Sequence, residues 1–550
     1  MRQRVLKIHP DDNVIVALQD LPSGEHVLLD GQLYTVIFPV NAKHKFSATY
    51  LKRGDAVIMY GVLVGRAVQE IQRGELITPF NVKHAATLPE LRTSNYRWTP
   101  PDVSKFAGRT FNGYHRTDGK VGIANYWLVF PLVFCENRNV DMVREALVSK
   151  LGYEKQKGYQ LNVDKLIDKY RQGAAIDDLM REEIIVDEPK RGINRIFKNI
   201  DGIKFLTHEG GCGGTRQDSI VLCSLLAGYL NNANVAGATV LSLGCQNAQV
   251  QLLEAAIKKI NPIFDKPLYI IGQQESKSEP EFIAEAVCKT FAGLVQANNI
   301  QRAPAPLSKL IVGLKCGGSD GFSGISANPV LGCFSDILTA LKGSVVLAEF
   351  PELNGVEQNM VDRCTSLPIA EKFLFLMRSY AESATKSGSG FDQNPSPGNI
   401  KDGLITDAIK SAGAAKKGGS SPVEQVLDYA EQVAKPGLHL LCTPGNDVES
   451  TTGLAGSGCT IILFTTGLGT PTGNPVASTI KISSNTNLAQ HMGDIIDFDT
   501  GTIITGEDSI EAKADELVDY VIKIASGEVI PHAVRLQHDD FIPWKRGVSL

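Results

Sequence analysis

Leu310-Ile311-Val312-Gly313-Leu314-Lys315-Cys316-Gly317-Gly318-Ser319-Asp320-Gly321 is the stretch that decides the fold. A short apolar run of strand length passes into a loop of small residues that carries a lysine, a cysteine, a serine and an aspartate. The same grammar recurs on both sides. Residues 202–207 run into His208-Glu209-Gly210-Gly211-Cys212-Gly213-Gly214, and 238–243 into Gly244-Cys245-Gln246-Asn247. Residues 345–348 run into Glu349-Phe350-Pro351-Glu352, 438–442 into Thr443-Pro444-Gly445-Asn446-Asp447, and 460–465 into a loop from Thr466 through Thr470 to Gly473. Residues 126–134 and 268–272 are further strand candidates, and 220–230 and 249–260 have helical periodicity. Strand alternating with helix predicts an α/β fold of Rossmann-like domains with mainly parallel sheets. Ligands bind such sheets outside the carboxyl ends of the strands. Six loops gathered on one edge would make a polar, backbone-rich pocket for a small hydroxylated anion.

Outward from this core the chain divides. Residues 1–95 read as a small β-rich, barrel-like module of short strands punctuated by Gly24, Gly31, Gly54, Gly61 and Gly74. Residues 96–107, with Pro100-Pro101, read as a linker. Residues 108–305 form one α/β domain with a charge-rich helical insertion at 144–196, and 306–550 form the C-terminal α/β domain. Residues 387–421, rich in Gly, Ser, Pro and Lys, read as a lid or a disordered loop. A net charge of −5 over 550 residues argues against a nucleic-acid partner. No apolar run reaches the roughly 20 residues needed to span a bilayer, and no secretory signal is visible. Ten scattered cysteines read as reduced thiols of a cytoplasmic protein. The expected partner is a small molecule, and a homo-oligomer is compatible with this composition.

Cys212, Cys245 and Cys316 each follow a strand, so they could converge on iron, as a mononuclear site or as three ligands of an iron–sulfur cluster. Equally, they could be small buried residues; Cys223, Cys288, Cys333 and Cys364 lie in helical patterns and read as core. His9, beside Asp11, Asp12 and Asn13, and His44 are the alternative metal ligands. His208 ends a strand and is a candidate acid–base group, as are Glu349, Asp447 and the neighbouring Glu352 and Glu357. Lys45, Arg216, Lys315 and Lys481 could neutralise a carboxylate. No GxGxxG or GxxxxGK[ST] pattern indicates a nucleotide. Gly317-Gly318-Ser319-Asp320-Gly321 matches a nucleophile elbow, but the glycine- and serine-rich continuation is a poor helix start.

The stretches 315–329, 394–399 (Asn394-Pro395-Ser396-Pro397-Gly398-Asn399), 443–447 and 465–473 resemble the altronate/galactarate dehydratase family, which also contains sulfolactate sulfo-lyase. Ile8-His9 through Leu18, His44-Lys45-Phe46 and residues 60–65 look like its N-terminal SAF domain. The resemblance implies dehydration of a sugar acid, with D-altronate giving 2-dehydro-3-deoxy-D-gluconate as the favoured reaction and galactarate or sulfolactate as alternatives. It implies an iron cofactor (Fe2+, with Mn2+ as a second choice). From the strand-end loops themselves, Lys315, Glu349, Asp447 and His208 are read as catalytic residues and Arg216, Ser319, Asp320, Asn446 and Thr470 as substrate contacts. The family often has arginine where Ala124 stands, which keeps a non-catalytic sugar-acid binding protein as a further reading.

Overall fold

The computed structural model describes residues 3–92, 95–154, 159–187 and 194–549. Its centre is a seven-stranded, wholly parallel sheet in the order Val423–Leu427, Gly437–Leu441, Ser344–Leu347, Ile311–Cys316, Ile461–Thr466, Ser478–Ser483 and Phe498–Asp499. Its inner strands are buried along nearly their whole length, with Ile311 alone half-buried, as a parallel sheet covered on both faces requires. After Ile311–Cys316 the chain builds toward one edge. From Ile461–Thr466 it builds toward the other. The switch point therefore lies between these two strands, where their carboxyl ends splay open.

A second parallel sheet follows the order Gly202–Phe205, Tyr126–Pro131, Val235–Ser242 and Leu268–Gly272. The α/β class expected from the sequence is therefore present. Three strands of the large sheet were not expected: Val423–Leu427, Ser478–Ser483 and Phe498–Asp499. Ser478, Thr479, Lys481 and Ser483 dilute the apolar signal of the middle one, although all are buried.

The two sheets meet through helices Arg216–Asn231 and Asp447–Gly456. A Cβ placed on Gly228 would stand 2.0 Å from the Gly456 carbonyl oxygen, so the helices touch backbone to backbone. Gly228→Ala is expected to destabilise the protein by about 1–3 kcal/mol, the usual cost of overpacking, read as a lower urea midpoint with unchanged slope. The contact lies near both helix C-termini. The C-terminal tail is tied to the start of the first helix and to the large domain: the Arg546 and Gly547 amides donate to Asp218 (3.1 and 3.0 Å), and the Arg546 guanidinium pairs with Asp428 (2.6 Å).

The N-terminal module consists of short antiparallel strands. It docks on the large domain through Lys43, which reaches Asp320 (3.0 Å) and Asp402 (3.4 Å), and through buried Lys45, which donates to the Gly403 carbonyl (2.7 Å). Burial lowers the Lys45 amine to about 7. The segment that follows is strapped to the large domain by Arg92–Asp362 (2.8 Å) and by Trp98 donating to Ser420 (3.2 Å).

Two sequence expectations need correction. The helical insertion does not begin at 144. Helix Asn137–Leu151 buries Val140, Val143, Leu147 and Leu151 in the core of its domain. The peripheral part is a hairpin of Tyr159–Leu161 with Ile185–Asp187 plus two short exposed helices, and residues 155–158 and 188–193 of the expected insertion lie outside the described residues. Residues 387–421 are not an open lid. They fold into helices Pro397–Lys401 and Asp407–Ala415, and the latter is mostly buried. Its small residues allow close approach: Gly413 packs against Gly324 and Tyr60. Among the described residues no helix is long and apolar enough to cross a membrane.

Candidate active site

Four of the six expected loops, those after 310–314, 345–348, 438–442 and 460–465, follow strands of the large sheet; the two that carry Cys212 and Cys245 follow strands of the second sheet. Lys315 projects from the end of Ile311–Cys316 and is fully buried. Its ammonium pairs with Glu349 and with Asp447 (2.9 Å), and donates to the carbonyls of Cys316 (2.8 Å) and Gly445 (3.3 Å). Glu349 has a left-handed backbone (φ 72°), a conformation costing on the order of 1–3 kcal/mol for a non-glycine residue. Its amide donates to Thr443 Oγ1 (3.0 Å), and its carboxylate accepts from the Cys316 amide (3.0 Å) and Lys417 (3.1 Å). Gly317 must be glycine, because a Cβ there would sit 2.6 Å from Asp447 Oδ1 and from Phe464 Cζ.

On the other face of the strand, the Cys316 thiol donates to Glu352 (2.8 Å) and accepts from Lys417 (2.7 Å), while Lys410 pairs with Glu352 (2.9 Å). Three ammonium groups thus face three carboxylates. Burial opposes every charge here, but the Coulombic attraction outweighs it. Lys315, Lys410 and Lys417 are held above the usual lysine range and Glu352 below the usual carboxylate range. Burial, with Glu349 and Glu352 adding to it, pushes the Cys316 thiol up to about 12. Lys410 and Lys417, missed from the sequence, come from the small-residue stretch read as a loop. The paired Lys416-Lys417 ending that stretch was the available signal.

Among the described residues, the group of three ligand atoms close enough for one ion is Cys316, Glu349 and Glu352, all within 4.8 Å. It does not fit a divalent ion as it stands. Lys417 Nζ lies 2.7 Å from the sulfur and 3.1 and 3.7 Å from the two carboxylates, where such an ion would sit. Cys316 is turned into this network, so it is not presented with Cys212 and Cys245, which are exposed. Those two cysteines lie on adjoining loops, linked by the Asn247 amide donating to the Gly211 carbonyl (2.8 Å). As free exposed thiols they suit a soft ion.

Other expected residues fall elsewhere. His208 is buried and tied at both nitrogens, to the Pro131 carbonyl (2.8 Å) and the Gly210 amide (3.1 Å), and burial lowers it to about 4. It is a structural residue. Arg216 is exposed at the start of its helix. His9 accepts from the Asp11 amide (3.2 Å) and His44 contacts the Lys401 carbonyl (3.0 Å), in separate turns of the N-terminal module. Asp320 is consumed by Ser323 (2.9 Å), Ser484 (2.8 Å) and Lys43 and holds its own loop rather than a ligand. Asn446 Oδ1 caps helix Asp447–Gly456. Glu357 accepts from the Gly355 amide (2.8 Å), outside the set. Cys223 and Cys364 are core as expected, whereas Cys288 is exposed and Cys333 half-buried. Ser319 Oγ is buried with no hydrogen-bond partner among the described residues, and Thr470 Oγ1 lies 2.8 Å from where a Cβ on the preceding Gly318 would be. Lys481, expected to neutralise a carboxylate, is buried with no hydrogen-bond partner for its amine among the described residues. Ala124 lines a cavity of about 1050 Å³ beside the edge strand Gly202–Phe205, with Tyr126, Lys204 and Arg302. That cavity shares no wall with the Lys315 network.

Comparison with known proteins agrees with this architecture. Residues 3–85 match the family model of the altronate/galactarate dehydratase SAF domain, 113–298 that of the D-galactarate dehydratase/altronate hydrolase second domain, and 307–549 that of the D-galactarate/altronate dehydratase C-terminal domain. The chain is 32% identical to an altronate dehydratase of Bacillus subtilis (99% of each chain) and 33% identical to one of Escherichia coli (95% of each). It is 29% identical to the L-threo-forming galactarate dehydratase of E. coli, over 95% of this chain and 93% of that one. This chain belongs to the altronate/galactarate dehydratase family and is a hydro-lyase acting on a small-molecule sugar acid.

Proposed function

We propose that the protein dehydrates D-altronate to 2-dehydro-3-deoxy-D-gluconate. The observation that carries this reading is the buried Lys315 ammonium holding Asp447, 27% exposed and the most open carboxylate of the network, at the switch point of the sheet. Asp447 takes the proton next to the substrate carboxylate. The neighbouring hydroxyl leaves and takes up that proton from Asp447 to become water, and the resulting enol becomes the keto acid. Lys315 fixes Asp447 and offsets the charge that builds up on the substrate carboxylate. Ser319 Oγ and Thr470 supply hydroxyl contacts. The iron that the family resemblance implies would be held by the exposed Cys212 and Cys245. When bound it supplies Lewis acidity toward a hydroxyl oxygen. The ten free cysteines support a reducing, cytoplasmic setting.

The test is keto-acid formation by protein reconstituted anaerobically with ferrous iron and assayed on D-altronate, galactarate and sulfolactate. Turnover of altronate at a kcat/KM at least about tenfold above the others is expected, a gap of ~1.4 kcal/mol in transition-state binding. Activity on galactarate alone would overturn the substrate assignment. Metal analysis of Cys212→Ser and Cys245→Ser checks the proposed ligands.

A further inference from the structure

We propose that Lys481 is a positioning residue of this elimination that acts through its charge: buried over the Phe464 ring face with no hydrogen-bond partner among the described residues, beside the Lys315–Asp447 pair, its neutral amine leaves Asp447 facing one ammonium, and its gain of a proton weakens Asp447 as a base. The inference rests on the dehydratase reading.

Register places the groups. Lys315, Phe464 and Lys481 are aligned partners on three adjacent parallel strands, so their side chains stand in a row on one face of the sheet. The Phe464 ring centroid is 3.3 Å from Lys481 Nζ and 5.9 Å from Lys315 Nζ. Lys315 spends its ammonium on Glu349, Asp447 and two carbonyls. Lys481 donates to nothing among the described residues.

The charged groups facing Lys481 are Asp447 from the next helix, Asp497 from the loop before Phe498–Asp499, Asp540 from the C-terminal segment, and Lys315. Each acid is already engaged. Asp447 binds Lys315 (2.9 Å). Asp497 accepts from the backbone amides of Lys481 and His532 (both 2.8 Å), and Asp540 from the Gly473 amide (2.9 Å). Burial lowers the Lys481 amine to about 7 against the partial pull of these acids, with Lys315 repelling. A methionine would fill the same space without desolvating an amine. What the amine adds is a switchable charge beside the catalytic carboxylate.

The experiment pairs pH profiles with a direct titration of the intact enzyme. In protein labelled with 13Cε-lysine, the resonance absent from Lys481→Met should titrate near pH 7. In wild type, kcat/KM should show an acid limb at that pH, and Lys481→Met should lose it. Lys481→Arg, permanently charged, should lower kcat about tenfold or more at every pH with KM changed less than about threefold, within the range of lost general-base assistance. Should Lys481→Arg fail to fold, as judged by circular dichroism, the titration and the Lys481→Met profile decide alone. An amine that stays protonated through pH 9, or identical profiles for wild type and Lys481→Met, would overturn the inference and leave the dehydratase reading standing. Failure to turn over any sugar acid would sink that reading instead, while the titration still reports the charge of Lys481.

Discussion

Replacing Lys315 with methionine will abolish turnover and destabilise the fold by about 3–5 kcal/mol, the range seen when one partner of a buried ion pair is removed. The side chain is fully buried, so solvent cannot take over its role. Glu349 would keep Lys417 and the Cys316 amide but lose its closest cation, while its left-handed backbone still has to be held in place. Asp447, 27% exposed, can turn toward water, so most of the stability loss arises at Glu349 and most of the activity loss at Asp447. This partition can be measured. Adding Glu349→Gln to Lys315→Met removes the uncompensated charge and should restore about 1–3 kcal/mol of the urea-unfolding free energy, a coupling typical of contacting residues. It should restore no activity. Strict additivity of the two substitutions would mean that the two side chains do not act as a pair.

The residues that could be read from the sequence are those whose position along the chain fixes their position in space. Lys315, Glu349 and Asp447 each stand within a few residues of the end of an apolar run, and in a parallel sheet such positions share an edge. Which face a side chain takes at that edge is a different matter. Lys315 and Cys316 are consecutive in a strand and so point to opposite faces. That single-residue alternation sends Cys316 into the Lys410–Lys417 network, whereas Cys212 and Cys245 are exposed, although all three follow strands. Lys417 contacts Cys316 across 101 positions of sequence and Glu349 across 68, and no local pattern encodes such a meeting. The stretch that carries it looked like a loop because close packing of Gly413 on Gly324 and Tyr60 demands the same small residues that flexibility would. His208 misled in the opposite way. Its place after a strand is the one a catalytic group would take, but its two ring nitrogens are used to pin the turn.

Asp447→Asn separates chemistry from folding, and the expected result is a fall in kcat of about 10²–10⁴-fold, the range of general acid–base assistance, with KM changed less than about threefold. The substitution keeps shape and volume, and the amide oxygen can still accept from Lys315. The structural loss should be smaller than at Glu349, because the Asp447 carboxylate is partly solvated and the buried Lys315 keeps Glu349 as its partner. The asparagine lacks the basic oxygen that takes the proton. Glu349→Gln should show the reverse balance. That carboxylate is fully buried between Lys315 and Lys417, so its neutralisation leaves two ammonium groups facing each other and costs stability first. Measuring kcat, KM and the unfolding midpoint on both variants therefore assigns the two acids. Proton exchange at the carbon next to the carboxylate, followed by NMR in D2O, isolates the step given to Asp447: it should be lost in Asp447→Asn. If Asp447→Asn keeps wild-type kcat while Glu349→Gln retains its midpoint and loses turnover, the base is Glu349, and the solvent-facing side of the network is not where the substrate reacts.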